Sequence, residues 1–375
     1  MLIGVLKEIK VHEYRVGLTP ESARALVARG HRVLVGKNAG AGIGADDADY
    51  RAAGAGIAST PGEIFAAAEL IVKVKEPLAE ERARLRPGQA LFAYLHLAPD
   101  PDQVRDLIQR GTIAIAYETV TSPAGGLPLL APMSEVAGRM AVQVAAHYLE
   151  RPSGGRGVLI SGAGGVAPAR IVVLGAGVVG SNAVRIALGM SADVVILNRS
   201  PEPLRRLQSE FGARLRTLGS TPENIEQELR EADAVIGAAL VPGGLTPKLV
   251  TRAMLSVMKK GAVLVDVSID QGGCVETSRP TTHAEPVYVV DGIVHYCVAN
   301  MPGAVPRTST YALNRATLPF VLELADRGVP AALRADPHLR NGLNVCSGKV
   351  TRREVAQALG YAYTEALQAL DDLRS

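Results

Sequence analysis

The chain has 375 residues, 47% of them hydrophobic and only 4% aromatic, which is more than one hydrophobic core organises and leads us to expect two domains. Forty Lys and Arg stand against 37 Asp and Glu, a formal charge of +3 that is too even to attract a polyanion, so nucleic acid is excluded as a partner. Charged residues interrupt every apolar stretch before the ~18 residues a membrane span needs, so no membrane partner is expected either.

The opening residues, MLIGVLKEIK, carry Lys7 and Glu8 and lack the apolar core of a signal peptide, so they read as a first strand, and the protein is expected in the cytoplasm. A helix follows, capped by Thr19 with Pro20 in its first turn. The β-branched runs HRVLV, LIVKV, ALFAYL and TIAIAYE then alternate with helical segments, which predicts parallel strands with crossover helices. From Ser134 to Arg151 the apolar residues Val136, Met140, Val144 and Tyr148 share one helical face, with Ser134 placed to cap it. Glycines and Pro152 break this pattern. A second strand series, RIVVLG, DVVIL, DAVIGAA and AVLVDVS, begins at Arg170 and runs to about Val305. Ser309 to Asp326 reads as a long helix interrupted at Pro319 that returns the chain to the first domain. The expected fold is α/β, with two doubly wound domains joined by long helices. A discontinuous domain of residues 1–133 plus 306–375 holds the substrate, and residues 134–305 form a Rossmann dinucleotide-binding domain. Cys274, Cys297 and Cys346 are far apart and without metal-ligand spacing, so neither a disulfide framework nor a metal site is expected.

The cofactor motif is Gly175, Gly177 and Gly180, spaced G-x-G-x-x-G directly after the strand RIVVL and opening a helix. The first glycine permits the sharp turn, the second lets backbone approach a pyrophosphate, and the third lets helix and sheet pack closely, while the helix N-terminus offers N–H groups to the phosphates. An NAD-type site normally carries an acidic residue at the end of the next strand, where this chain has Asn198 and Arg199. Either the Asn198 amide bonds the ribose hydroxyls and Arg199 faces solvent, or the missing acid admits a 2′-phosphate; NAD is expected, with NADP as the alternative. Four polar residues close strands or follow them: Arg15, Lys75 and His96 in the first half and Asp270 in the second. Taken singly, each has a plainer reading as a surface charge, a packed histidine or a turn residue.

Together they lie in segments that resemble the alanine dehydrogenases: GVLKEIKVHEYRVGLTP, VKVKEPL, LHLAPD, PMSEVAGRMAVQ, DQGGCVETSRPTTHAEPVY and VANMPGAVPRTST. The resemblance covers essentially the whole chain. It implies interconversion of L-alanine with pyruvate and ammonium on a nicotinamide dinucleotide, by a homo-oligomer that in this family is typically a hexamer. It also implies that Arg15 and Lys75 bind the substrate carboxylate and carbonyl, that His96 is the acid/base and that Asp270 has a second catalytic role. Cofactor contacts are implied for Ser134, for Val178 and Val179 among the motif glycines, and for Ser220, Ala239 and Leu240. They are implied further for Val267, Ser268, Ile269 and Asp270, for Arg279, and for Val298, Ala299, Asn300 and Met301. Pro203 stands where the family often has a basic residue.

The chemistry suits these roles. A carboxylate calls for a planar bidentate cation and a keto oxygen for a donor, while a histidine titrating near neutrality can move protons and an aspartate can orient an ammonium or imine. His283 and His295 are rivals for the acid/base role; His12, His31, His147 and His338 have nothing nearby in sequence to recommend them. Two other readings stay open, a transhydrogenase-type NAD-binding subunit and a catalytically idle dinucleotide sensor.

Overall fold

The computed structural model describes residues 1–239 and 246–374, which form two compact units, Met1–Met133 with Gly303–Ser375, and Ser134–Pro302. Both are α/β, with a parallel-dominated sheet and helices. In chain order the strands are β1 (Leu2–Val5), β2 (Arg32–Gly36), β3 (Gly56–Ala58), β4 (Leu70–Val72), β5 (Ala90–Ala93) and β6 (Ile113–Ala116) in the first unit. The second unit contains β7 (Arg170–Leu174), β8 (Asp193–Asn198), β9 (Leu215–Gly219), β10 (Ala234–Gly237), β11 (Val263–Asp266), β12 (Val287–Val290) and β13 (Ile293–Tyr296). The chain then returns with β14 (Leu343–Cys346) and β15 (Lys349–Val350) to extend the first sheet.

The two sheets are ordered β3-β2-β1-β4-β5-β6-β14-β15 and β9-β8-β7-β10-β11-β13-β12. Among these strands pairing is parallel from β3 to β6 and from β9 to β13, and antiparallel at β6–β14, β14–β15 and β12–β13. Each sheet winds outward in one direction from its first strand and then in the other, reversing between β1 and β4 and between β7 and β10. Loops leaving those two neighbours diverge, and a crevice is left at the C-terminal ends of the strands. The strands are buried along their length, with every residue of β4, β5, β10 and β11 inaccessible, as expected of parallel strands covered on both faces.

Most predicted elements are present, with corrections at both ends of the central helix and one inside the last long helix. Thr19 caps the helix Pro20–Ala28, its side chain accepting from Ser22 N–H. The central helix spans Ala131–Tyr148, so Ser134 lies inside its first turn and is not its cap. Pro132 accounts for the earlier start, because a proline in the first turn gives up an N–H that would have no partner there. At the other end Arg151–Ser153 forms a separate 3₁₀ turn around Pro152. The last long helix runs unbroken from Pro306 to Arg327 through Pro319. Pro319 and Arg315 are both exposed, so the carbonyl that Pro319 fails to meet can be hydrated.

One ionic cluster lies in the first core. Lys73, following β4, donates to Glu8 Oε2 at 3.0 Å and to Glu81 Oε1 at 2.8 Å, and all three residues are buried. Burial pushes the Glu8 carboxyl above its usual range against the pull of Lys73. The three cysteines are also buried, and burial pushes each thiol up, that of Cys346 to about 11. Among the described residues no helix is long and apolar enough to cross a membrane, and no His, Cys, Asp and Glu group could hold a metal ion.

Candidate active site

In the first unit Arg15, Lys75 and His96 lie in the loops that follow β1, β4 and β5, three adjacent strands that include the point of reversal. The loop after β1 folds back through a bridge between Lys7 and Val16, and Gly17 comes so close to β4 that a Cβ there would lie 2.5 Å from Val72 O. Arg15 is buried within this loop. Its Nε donates to Glu13 Oε1 at 2.7 Å and its Nη2 to Glu13 Oε2 at 2.5 Å, a two-point grip that fixes the plane of the guanidinium, while Nη1 reaches Met133 Sδ at 3.1 Å. Lys75 is carried by backbone that Glu8 fastens, since Glu8 Oε1 accepts from Val74 N–H at 2.7 Å and from Lys75 N–H at 3.4 Å. The Lys75 ammonium is 3.7 Å from Glu76. Burial pushes the Glu76 carboxyl up, but Lys75 and Lys10 outweigh it and hold the group below the usual carboxylate range.

His96 is exposed and has φ +46°, a left-handed conformation that non-glycine residues seldom adopt. Its ring stacks on Tyr94, with centroids 6.0 Å apart and planes 10° from parallel. The Tyr94 hydroxyl donates to Leu129 O. Glu118, in the 3₁₀ turn Tyr117–Thr119 after β6, accepts from His96 N–H at 2.7 Å.

In the second unit the glycine motif has the geometry its spacing requires. Gly175 has φ +112°, and a Cβ there would lie 2.6 Å from Ala238 O at the end of β10. A Cβ on Gly180 would lie 1.8 Å from Gly175 O, so only glycine lets the helix Val178–Gly189 start this close to β7. At Gly177 a Cβ would meet nothing within 4 Å, which leaves an open cradle at the helix N-terminus where a pyrophosphate can approach backbone. These residues therefore fit a dinucleotide. Val178, at the mouth of the cradle, is exposed, and Val179 follows it in the first turn.

The other expected contacts lie along the same rim of strand ends. Asn198 ends β8 and Arg199 follows it, Ser220 follows β9 and donates its N–H to Asn198 O, and Ala239 follows β10 with its carbonyl accepting from Ser268 Oγ at 2.6 Å. Leu240 lies outside the described residues. Val267, Ser268, Ile269 and Asp270 form a 3₁₀ turn after β11, on which Asp270 is exposed. Val298, Ala299, Asn300 and Met301 follow β13; Asn300 has φ +66°, and its carbonyl pairs with His283 Nε2 at 3.1 Å. Arg279 lies over the Tyr288 ring of the edge strand, 4.1 Å from its centroid.

Asn198 uses its amide within the glycine turn. Its Oδ1 accepts from Ala176 N–H at 3.0 Å and its Nδ2 donates to Ser200 O at 2.9 Å, so the side chain braces the glycine turn. Of the rivals to His96, His295 is fully buried with Nδ1 against Ile293 O at 2.9 Å and Nε2 against the Thr277 hydroxyl at 2.8 Å, and burial pushes its pKa down. Both of its ring nitrogens are paired within the protein. Sequence reasoning missed Asp266, a buried carboxylate at the end of β11 that accepts from the backbone of Ser268, Cys274 and Val275 and from Ser278 Oγ, fastening the loop that carries Asp270. It also missed Glu13 and Glu118. Nothing in their spacing points to these roles, because all three act on backbone or on a neighbour's side chain in a loop.

Two family models match the chain, the N-terminal domain of alanine dehydrogenase/PNT over residues 4–137 and its C-terminal domain over residues 141–353. An alanine dehydrogenase of Halomonas elongata is 60% identical over 366 residues, 98% of this chain and 99% of that protein. The solved structure of an L-alanine dehydrogenase superposes with a TM-score of 0.93 at 48% identity, covering 96% of this chain and 99% of that one. A transhydrogenase from Sinorhizobium meliloti, 24% identical, shares the fold with a TM-score of 0.80 over 94% of this chain and 99% of its own.

Proposed function

The chain belongs to the alanine dehydrogenase/PNT family, and from that premise we propose that it catalyses the reversible oxidative deamination of L-alanine to pyruvate and ammonium with a nicotinamide dinucleotide. The observation that carries this reading is the placement of Arg15, Lys75 and His96 in the loops after three adjacent parallel strands, at the reversal of their sheet. We assign substrate binding to residues 1–133 plus 306–375 and cofactor binding to residues 134–305, an assignment supported by the two compact units of the chain.

In the direction of amination, the Arg15 guanidinium, its plane set by Glu13, pairs with the pyruvate carboxylate. Lys75 donates to the keto oxygen and draws charge from the carbonyl carbon, to which ammonia adds by forming the C–N bond. One proton passes from the added nitrogen to the former keto oxygen and His96 supplies a second, so that the oxygen departs as water and leaves an iminium ion whose positive charge Asp270 stabilises. The nicotinamide, when bound, supplies the hydride that completes alanine and takes it up in the reverse direction. Cofactor contacts are assigned to the motif glycines with Val178 and Val179, and to the strand-end residues after β8, β9, β10, β11 and β13, together with Ser134 and Arg279.

The test is NADH oxidation on adding pyruvate with ammonium. Folded protein that neither oxidises NADH with this pair nor reduces NAD with alanine would overturn the assignment and favour a transhydrogenase-type subunit or a sensor. His96→Ala is expected to lower kcat about a hundredfold or more.

For the cofactor we propose NAD with measurable use of NADP. An acid that would repel a 2′-phosphate is missing, the Asn198 amide is engaged with Ala176 and Ser200, and Arg199 is exposed beside it. The ratio of kcat/KM for NADPH and NADH should fall in Asn198→Asp and in Arg199→Ala; an unmoved ratio in Arg199→Ala makes that residue a surface charge only. Homo-hexameric assembly and a cytoplasmic location belong to the same proposal, supported by family likeness, and light scattering and cell fractionation test them.

A further inference from the structure

Resting on the reading of His96 as acid/base, we propose that Glu118 is a positioning residue that aims the His96 imidazole by clamping the backbone beneath it. At φ +46° the His96 backbone is in a region that an L side chain occupies only when its surroundings impose it. The imposing group is a single carboxylate. Glu118 Oε1 accepts from His96 N–H at 2.7 Å, and both of its oxygens lie within reach of Leu95 N–H, at 3.3 and 3.2 Å. From the other side of the same peptide, the buried Gln103 amide donates to Leu95 O at 2.8 Å. Residues 95 and 96 are thus fixed at donor and acceptor alike.

The clamp comes from the neighbouring strand. Glu118 stands two residues past the end of β6 and His96 three past the end of β5, and the two strands pair in parallel with Ala93 opposite Ala116. A carboxylate there reaches across the gap where the ladder has ended and replaces the backbone acceptors that another strand residue would have offered. Carboxylate oxygens are strong acceptors for backbone N–H groups, and these bonds offset the strain of the left-handed conformation. Without the carboxylate the peptide relaxes toward negative φ, which swings the Cα–Cβ bond of His96 and takes its ring off the face of Tyr94. Proton transfer needs heavy atoms within about 2.6–3.2 Å, so the swing is read as lost turnover while the cofactor unit is untouched.

The experiment is a double-mutant cycle of Glu118→Ala and His96→Ala, with Glu118→Gln alongside, measuring kcat, pyruvate KM and NADH binding by fluorescence. Glu118→Ala should lower kcat by about 10- to 100-fold, the scale of a misplacement near 1 Å, with NADH affinity unchanged. Glu118→Gln, whose amide oxygen still accepts the His96 N–H, should recover most of that loss. In the His96→Ala background Glu118→Ala should cost about twofold or less, because a residue that acts through His96 has nothing left to aim. An equal loss in both backgrounds, or an undiminished kcat in Glu118→Ala, overturns the role of Glu118. Should Glu118→Ala lose NADH binding through misfolding, Glu118→Asp, which draws the carboxylate back by one methylene, decides by the same criteria. A wild type inactive with pyruvate and ammonium overturns the reaction itself, an outcome distinct from an active wild type with an indifferent Glu118.

Discussion

Arg15 shows how much of a binding group's selectivity is prepared before any ligand arrives. Glu13 engages its Nε and Nη2 together, and burial removes the competing water, so the guanidinium plane is set by the protein. Lysine cannot reproduce this, since an ammonium is a point charge with no plane to fix. Arg15→Lys should raise the pyruvate KM by roughly 10- to 100-fold, the equivalent of one charge-assisted hydrogen bond, with a smaller change in kcat. Steady-state kinetics at saturating ammonium and NADH measure it; a fall in kcat with KM unchanged would place Arg15 in the chemical step. That Arg15, Lys75 and His96 follow strands was legible from the alternation of apolar runs and turns, and the roles proposed for them were expected from the family resemblance. Glu13, Glu118 and Asp266 were not, because a carboxylate that accepts from a loop's backbone looks in sequence like any solvated acid.

At the scale of the element, the glycine turn separates two requirements that one motif combines. A methyl group on Gly177 enters open space, whereas one on Gly180 would collide with Gly175 O. Gly177→Ala should therefore keep its melting temperature and weaken NADH binding about tenfold or more, because the methyl occupies the approach to the pyrophosphate. Gly180→Ala should weaken binding and also lose roughly 1–3 kcal/mol of stability, as an overpacked contact does. Calorimetry with and without NADH distinguishes them, and equal melting losses in both would show that the cradle is packed rather than open. Motif and strand are readable here since both follow local rules. The central helix starts three residues earlier than Ser134 suggested, since two signals compete there and Pro132 takes the first turn. β14 escaped sequence reading because its partner, β6, lies more than 200 residues away and no local pattern announces the pairing, and the two-residue β15 only pairs back onto β14.

Across the whole molecule both units follow one winding rule, and that rule explains why the chemical residues collect where they do. The alternation of apolar runs with helices fixed the class and the parallel core; the antiparallel additions lie at one margin of each sheet, and that of β14 onto β6 depends on contact between distant segments. The buried Lys73, Glu8 and Glu81 cluster belongs to this level, since it joins the ends of β1 and β4 in the core of the first unit. Lys73→Met leaves two carboxylates buried without their cation and should cost about 3–5 kcal/mol, while the triple replacement Lys73→Met, Glu8→Gln, Glu81→Gln should recover most of it. Urea denaturation followed by circular dichroism reads both, and a Lys73→Met midpoint equal to wild type would mean that the cluster is hydrated.

The sealed thiols make the protein its own stopwatch. Cys346 lies in the first unit and Cys274 and Cys297 in the second, all buried and all held as unreactive thiols. Alkylation needs the thiolate and access to it, so each cysteine can be trapped only while its surroundings are open. A thiol reagent added to native protein should find almost nothing to titrate, and the order in which labelled peptides appear over hours should record which unit opens first and how often. NADH, by binding only the closed second unit, should slow the labelling of Cys274 and Cys297 in proportion to its saturation and leave the Cys346 trace unchanged.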